Sequence, residues 1–233
     1  MVLLGTLVNG AAIIVGTLLG RMLRGIPESM KNTVMNAIGL ALLVLGVQMG
    51  LKTDNFLIAL LSLVIGALIG EAVKLEDKFT NAGTWLEKRI GSQEPGAIAQ
   101  GFITSSLVFV VGAMAILGAL DSGMKGNHDI LYAKSIMDGF IAIVLTSTLG
   151  IGVLFSAIPI LLYQGAIALF ATQITRFVPD AIMDAMITEL TAAGGIMILG
   201  IGLNLLGITR IKIANLLPGL IVAAAMTAVL QVW

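Results

Sequence analysis

Runs of about 20 apolar residues, the length that an α-helix needs to cross the hydrocarbon core of a bilayer, recur along the whole chain. Runs with few or no charges lie at about 3–20, 34–51, 55–70, 101–120, 136–175, 190–208 and 213–232. Of the 233 residues, 58% are hydrophobic and 11% are charged. A soluble domain averages about 25% charged residues. The sequence therefore predicts an all-α membrane protein, with the lipid bilayer as its first partner.

The run at 136–175 is too long for one crossing and too apolar for a loop. Its middle, "TSTLGIGV", offers glycines for a tight reversal near Thr148–Gly152. Splitting the run there gives about eight transmembrane helices in a single transmembrane domain over residues 1–233.

The distribution of Lys and Arg orients these spans, because cytoplasmic loops carry an excess of them. One side collects Arg21, Arg24, Lys31, Lys74, Lys78, Lys88, Arg89, Arg210 and Lys212. The other side collects Lys52, Lys125 and Arg176. We therefore expect a protein of the cell inner (plasma) membrane, with both termini on the extracytoplasmic side.

The longest polar connection, at about 73–97, then lies in the cytoplasm. Apolar residues are spaced among its acids and bases: Leu75, Phe79, Trp85, Leu86 and Ile90. This pattern is typical of one or two amphipathic helices on the membrane surface, with Trp85 as an interfacial anchor. A solvated linker is the alternative.

Two distant segments align without gaps and indicate an internal repeat. "NGAAIIVGTLLGR" (Asn9–Arg21) pairs with "QGAIALFATQITR" (Gln164–Arg176). "GLALLVLGVQMGL" (Gly39–Leu51) pairs with "GIMILGIGLNLLG" (Gly195–Gly207), so that Gln48 falls on Asn204. The first repeat covers about 1–72 and the second about 152–233, around central helices at about 98–150.

The alignment relates spans 1–3 to spans 6–8, and each span lies five crossings before its equivalent. An odd number of crossings reverses the direction of a helix, so we expect an inverted-topology repeat around central spans 4–5. Inverted repeats are common in secondary transporters, where exchanging their conformations alternates access to a central site. Duplication also builds static channels and scaffolds, so symmetry alone leaves both classes open.

Four carboxamides lie within the predicted spans, in pairs that the repeat relates: Asn9 with Gln164, and Gln48 with Asn204. Hydrocarbon offers amides no partners. They can bond between helices, contributing about 0.6 kcal/mol each. They can also line a central site for a small polar solute or ion, since an amide both donates and accepts.

The stretch "YAKSIMDGF" places Lys134 and Asp138 four residues apart, on one face of the fifth span. "NHD" (Asn127–Asp129) is able to cap that helix. Counting about 1.5 Å per residue from there puts Asp138 roughly 13 Å deep. An aspartate at that depth is expensive and is normally paired or faces a water-filled path. Lys134, Asp138 and neighbouring Ser135 are therefore candidate solute- or ion-binding residues.

Glu189 is a further candidate. It is about ten residues deep if the seventh span begins near Pro179, and it is interfacial if that span begins at Leu190.

The sequence gives little support for catalysis or for a bound cofactor. There is no cysteine, and the one histidine, His128, falls in a loop, so we expect no metal site and no cofactor. Ser135 points away from Lys134 around the helix, so a Ser–Lys protease arrangement is not formed. The formal net charge of zero argues against a nucleic-acid partner. We expect no enzyme and name no catalytic residue.

Four stretches of the sequence resemble the YqgA/YdfK-like bacterial multi-pass membrane proteins. This is a family of unknown function, whose members are presumed to transport a solute. The four stretches are "VGAMAILGALDSGMKG", "AKSIMDGF", "STLGIGVLFSAIPILLYQG" and "GGIMILGIGLNLLG". The resemblance implies that the following residues are family features: Asn9, Lys134, Ser135, Asp138, Gln164, Glu189, Asn204 and Pro218. It strengthens the case for Glu189.

Two functional hypotheses follow. The first is a secondary transporter or channel-like carrier of a small polar solute or ion, working at a mid-membrane Lys/Asp site. The alternative is a non-transporting scaffold or sensor in which the pair is structural and small-residue helices assemble a homo-oligomer.

Overall fold

The computed structural model describes residues 1–22, 28–90 and 96–232, and all of its regular structure in these ranges is helical. Arg24 lies outside the described residues, as do the side chains of Lys31, Leu86, Arg89 and Ile90. The predicted all-α class is confirmed.

The α-helices, in chain order, are α1 (Leu4–Met22), α2 (Glu28–Gly50), α3 (Phe56–Ala72), α4 (Leu75–Ile90), α5 (Ala97–Val110), α6 (Ala113–Lys125), α7 (Asp129–Leu149), α8 (Ala157–Leu169), α9 (Ala171–Phe177), α10 (Asp180–Leu205) and α11 (Pro218–Val232). Two 3₁₀ helices, Gly150–Ser156 and Ile213–Leu216, precede α8 and α11.

Within the described ranges, five helical stretches are long and apolar enough to cross a membrane, or up to seven if two bent pairs each form one broken span. The five are Leu4–Met22, Asn32–Gly50, Asp129–Leu169, Asp180–Leu205 and Ile213–Leu230. The sequence predicts about eight spans, and length and apolar character support five to seven.

One bent pair is α5 with α6, whose axes differ by 62°. The break is at Gly112, with φ 134° and ψ 148°, a backbone region that essentially only glycine occupies. Glycine at this position therefore permits an interruption inside an apolar segment.

The chain forms two compact units. Unit 1 comprises Met1–Lys31 and Thr80–Phe177, and unit 2 comprises Asn32–Phe79 and Val178–Trp233. Each unit thus draws helices from both halves of the sequence.

In unit 1, α1 packs closely against α7 in the same direction. A β-carbon on Gly16 would meet the carbonyl oxygen of Gly139, and one on Gly20 would meet that of Ile143. Gly5 at the start of α1 faces Leu131. The two backbones can approach so closely because glycine has no side chain.

Another neighbour of α1 in unit 1, α8, runs in the opposite direction. Gly10 faces Leu161, whereas Leu3, immediately before α1, approaches Gly165, later in α8. Since α7 runs with α1 and α8 against it, the chain reverses between them, through the 3₁₀ segment Gly150–Ser156. The predicted reversal near Thr148–Gly152 is found at this place.

Glycine contacts also hold unit 2 together. In the pair α2–α10, Gly46 meets the carbonyl oxygen of Gly195, and Gly39 meets that of Gly202. In the pair α3–α11, Gly66 lies against Gly219. Leucine or isoleucine at these positions would push the helices apart.

The connection predicted to be amphipathic forms one helix, α4, with Glu76 and Asp77 in its first turn. Trp85, the predicted anchor, is mostly exposed. Acidic residues near a helix N-terminus favour the helix dipole. The connection is helical over Leu75–Ile90, and its place on the membrane surface stays a prediction.

Close packing of α1 on α7 yields a stability prediction. Gly16→Ala places a methyl group against the backbone of α7, and such overpacking costs about 1–3 kcal/mol. Gly165→Ala is the matched control, because the nearest atom to its new carbon would be 3.8 Å away. We expect thermal unfolding in detergent at a lower temperature for Gly16→Ala and at an unchanged or higher temperature for Gly165→Ala. Equal stability of the two variants would contradict the packing.

Candidate functional site

The predicted ion pair exists, and it is buried in the middle of α7. Lys134 Nζ donates to Asp138 Oδ1 at 3.0 Å and lies 3.0 Å from Oδ2. Asp138 is 3% exposed and Lys134 is 7% exposed. The spacing of four residues makes the contact possible, since such residues are neighbours on a helix face.

The fold of unit 1 brings α1 and α8 to the same carboxylate. Asn9 Nδ2 donates to Asp138 Oδ2 at 3.1 Å and to Gln164 Oε1 at 3.3 Å. Asn9 and Gln164 are both fully buried. One aspartate, one lysine and two carboxamides, contributed by three helices, thus form a connected polar cluster, which we call the Asp138 cluster.

The start of α7 carries its own hydrogen bonds. Asn127 Oδ1 accepts from the backbone N–H of Asp129 at 3.0 Å, which agrees with the capping role expected of this stretch. His128 Nδ1 lies 2.8 Å from Ser122 Oγ, and Ser122 donates to the backbone oxygen of Val2. These bonds join the α6–α7 connection to the beginning of the chain.

Ser135, predicted as a site residue, has its hydroxyl engaged by its own helix. It donates to the backbone oxygen of Leu131 at 2.6 Å. Such bonding to the preceding turn is common for buried serine in helices. The structure thus shows a local hydrogen bond for Ser135, and its contact with a solute stays a prediction.

Glu189, on α10 in unit 2, holds the α2–α3 connection. Its carboxylate accepts from Thr53 Oγ1 at 2.6 Å and from the backbone N–H groups of Asp54 and Asn55 at 3.0 and 3.2 Å. Asn55 in turn caps α3. Three donors satisfy this buried carboxylate, which favours a loop-anchoring role over the predicted solute- or ion-binding one.

The second predicted pair of carboxamides also belongs to unit 2. Asn204 accepts from Thr209 Oγ1 and from the N–H of Ile211, and it donates to the Ile211 oxygen, so it closes the loop after α10. Gln48 is exposed on α2. Of the four carboxamides expected to line one site, Asn9 and Gln164 are those that join the Asp138 cluster.

A second polar cluster, at the end of α3, was not anticipated from the sequence. Asn215 Nδ2 donates to Glu71 Oε2 at 2.6 Å, and Asn215 Oδ1 accepts from the N–H of Glu76 at 2.8 Å. Glu76 accepts in return from the N–H of Ala214. The available signal was a lone asparagine three residues before Pro218, within the stretch "IANLLPGL".

Lys212, in the loop before Asn215, forms an ion pair with Glu71, with Nζ 2.9 Å from Oε1. The hydrogen bond and the charge of Glu71 raise the pKa of Lys212 above its ordinary value. Both side chains are mostly exposed, so the pair contributes little to stability.

The loop-anchoring role of Glu189 can be tested by charge removal. Glu189→Gln weakens three hydrogen bonds to a buried carboxylate, and bonds to charged groups are worth about 1.5–3 kcal/mol each. We expect a clear fall in the thermal unfolding temperature. Lys125→Gln, which removes an exposed ion pair with Asp121, is the control and should change it little. An unchanged unfolding temperature for Glu189→Gln would contradict the anchoring role.

Comparison with known proteins agrees with the resemblance noted in the sequence. Residues 4–228 match the family described as "Protein of unknown function (DUF554)". The chain is 32% identical over 232 residues to the "Uncharacterized membrane protein YdfK" of Bacillus subtilis (strain 168), covering 97% of this chain and 96% of that protein. It is 30% identical over 235 residues to the "Uncharacterized protein YqgA" of Escherichia coli (strain K12), covering 99% and 98%.

No solved structure matches the chain. The family match and both relatives extend over nearly its whole length. This membrane protein therefore belongs to the DUF554 family.

Proposed function

We propose that this membrane protein is a secondary transporter or channel-like carrier of a small polar solute or ion, with Asp138 as its working centre and Lys134 as the counter-charge. The observation that carries the proposal is the Asp138 cluster, buried at the middle of α7 and reached by α1 and α8. A charge at the centre of a bilayer costs about 2.5–3.5 kcal/mol on insertion scales, and it usually marks a solute or ion path.

The predicted repeat gives this cluster a special position. Asn9 and Gln164 are equivalent residues in the alignment, and they hydrogen-bond to each other. Where a two-fold axis relates two segments, a residue that contacts its own equivalent lies at the axis. We therefore place a pseudo-two-fold axis between Asn9 and Gln164, at their mutual hydrogen bond. Transporters built from inverted repeats bind their solutes near such an axis.

The glycine contacts of unit 2 support the same repeat. The alignment makes Gly39 equivalent to Gly195 and Gly46 equivalent to Gly202. In the packing of α2 on α10, Gly39 faces Gly202 and Gly46 faces Gly195. Each glycine thus contacts the equivalent of the other, which is the pattern of an isologous two-fold contact.

The break between α5 and α6 supports a polar interior in unit 1. Interrupted helices leave backbone N–H and C=O groups without helical partners, and the hydrocarbon core supplies none. Such breaks occur where they line a water-filled cavity or a binding site. At Gly112, which is only partly buried, a β-carbon would meet no atom within 4 Å outside its chain neighbours.

We infer the location of the protein from its charge pattern. We place the protein in the inner membrane, with both termini outside and α4 on the cytoplasmic surface, as the positive-inside rule predicts. A homo-oligomer through small-residue faces is compatible with this arrangement.

One observation favours the competing scaffold or sensor function. Both oxygens of Asp138 already have donors, Lys134 and Asn9, as a purely structural pair would. Stability and solute response must therefore be measured separately.

Thermal shifts of the purified protein across amino acids, organic acids and inorganic ions test the proposal. We expect at least one solute class to raise the unfolding temperature of the wild type by ligand linkage. Asp138→Asn should abolish that shift, because it removes the charge at the working centre. If no compound stabilises the wild type, while Asp138→Asn lowers the unfolding temperature, the scaffold function is favoured.

Removing both charges together separates the two functions further. Breaking a buried ion pair on one side costs about 3–5 kcal/mol, whereas replacing both partners is often neutral. We therefore expect Asp138→Asn to be less stable than wild type and Lys134→Met/Asp138→Asn to recover most of the loss. Reconstituted flux under a pH gradient should stay abolished in the double variant. Wild-type flux in the double variant would contradict a working role for the pair.

A further inference from the structure

Buried polar atoms without a hydrogen-bond partner in the described protein concentrate in unit 1. Six of the seven such side-chain atoms belong to this unit, and the seventh belongs to Thr191 in unit 2. The six are Thr6 Oγ1, Asn9 Oδ1, Thr17 Oγ1, Ser106 Oγ, Thr146 Oγ1 and Gln164 Nε2. An unsatisfied buried group costs about 1–3 kcal/mol, so a cluster of them requires a physical reason.

Three of these atoms lie along the buried side of α1. Thr6 and Thr17 are eleven residues apart, close to three full turns, so they share one face at a separation of about 16 Å. Asn9 lies between them in the sequence, beside Asp138. Thr146 on α7 contacts the last turn of α1, next to Gly20. The unsatisfied atoms therefore extend along α1 over about half of a hydrocarbon core roughly 30 Å thick.

The ion pair determines which amide atoms of Asn9 and Gln164 donate hydrogen bonds and which accept them. An ionised carboxylate only accepts, so Asn9 must turn its nitrogen to Asp138. The same nitrogen can only donate to Gln164, so Gln164 must present its oxygen to Asn9. One acceptor, Asn9 Oδ1, and one donor, Gln164 Nε2, are thereby left over. This assignment rests on the network, as amide orientations generally do.

The charge of the cluster restricts the ligand class. Lys134 and Asp138 are the buried charged residues among those described in unit 1, and they compensate each other. An ion entering this interior would lose its hydration without meeting a net opposite charge, which is costly. The remaining threonine hydroxyls both donate and accept. The groups on offer therefore match a neutral molecule that can do the same.

We infer that the α1 face formed by Thr6, Asn9 and Thr17, with Gln164 and Thr146 beside it, is the path of a small uncharged solute that both donates and accepts hydrogen bonds. Water and small hydroxyl or amide compounds form this class. The inference rests on the proposed function and names the substrate class for it. Each hydrogen bond that the solute makes along the path replaces one that it loses on leaving water.

Stopped-flow light scattering of proteoliposomes tests this path. The probes are sucrose, to measure water efflux, glycerol and urea, to measure solute entry, and sodium chloride and sodium acetate, to measure ion entry. The variants Thr17→Val and Thr146→Val keep the side-chain shape and remove one unsatisfied hydroxyl each. Thr227→Val is the control, because this buried threonine of unit 2 donates to the oxygen of Ala223.

We expect wild-type vesicles to exchange at least one of water, glycerol and urea faster than protein-free vesicles, and to exclude both salts. Thr17→Val should slow that exchange about tenfold, the effect of one lost hydrogen bond. It should also unfold at the same or a higher temperature, because an unsatisfied hydroxyl has been removed. A purely structural threonine would not combine these two results. Thr227→Val should exchange like wild type.

Three outcomes would overturn the inference. Entry of salts without any neutral compound would remove the assigned substrate class and leave the transporter proposal standing. Wild-type exchange in both Thr17→Val and Thr146→Val would place the path elsewhere. Failure to move any probe, together with no ligand-induced thermal shift, would overturn the proposed function as well.

Discussion

The rest of unit 1 is arranged around a carboxylate that hydrocarbon cannot solvate. Asp138 is too short to reach the membrane surface, so its charge must be met by the protein itself. Lys134 does this from the same helix and Asn9 does it from α1. The second bond requires α1 and α7 to lie almost backbone to backbone, and the glycines at positions 16, 20 and 139 allow that approach. The bond from Asn9 to Asp138 therefore depends on these small residues.

Asn9 links the charge of Asp138 to the orientation of the neighbouring amide of Gln164. Because one amide nitrogen serves both Asp138 and Gln164, the ionised carboxylate fixes the orientation of two side chains. The unsatisfied face then carries an acceptor on α1 and a donor on α8. A protonated Asp138 would donate instead, and hydrogen-bond chemistry would then reverse both amides. The order of donor and acceptor on that face is thus set by the protonation state of Asp138.

Local patterns in the sequence predicted the helices, the ion pair and the chain reversal of unit 1. The length of the apolar runs predicted helices, the spacing of Lys134 and Asp138 predicted their contact, and the glycines near Gly150 predicted the reversal before α8. Glu189 was ambiguous, because a carboxylate late in the chain gives no sign that its donors belong to residues 53–55. The loop contacts of Asn204 and Asn215 were likewise not predicted, since the loops that they bind are defined by tertiary packing. Side-chain partners distant in sequence carry no periodic signal.

The free energy of burying charges argues against a purely structural role for the Asp138 cluster. Replacing a buried ion pair by apolar residues of similar volume is often neutral or stabilising, so stability alone gives no reason to keep one in hydrocarbon. The unsatisfied atoms of Thr6, Thr17, Thr146 and Gln164 add further cost to the same unit. Valine or leucine at those positions would keep the packing and avoid that cost. The proposed function gives both features a reason, because a polar molecule on that face would satisfy the hydrogen-bonding groups that packing leaves without partners.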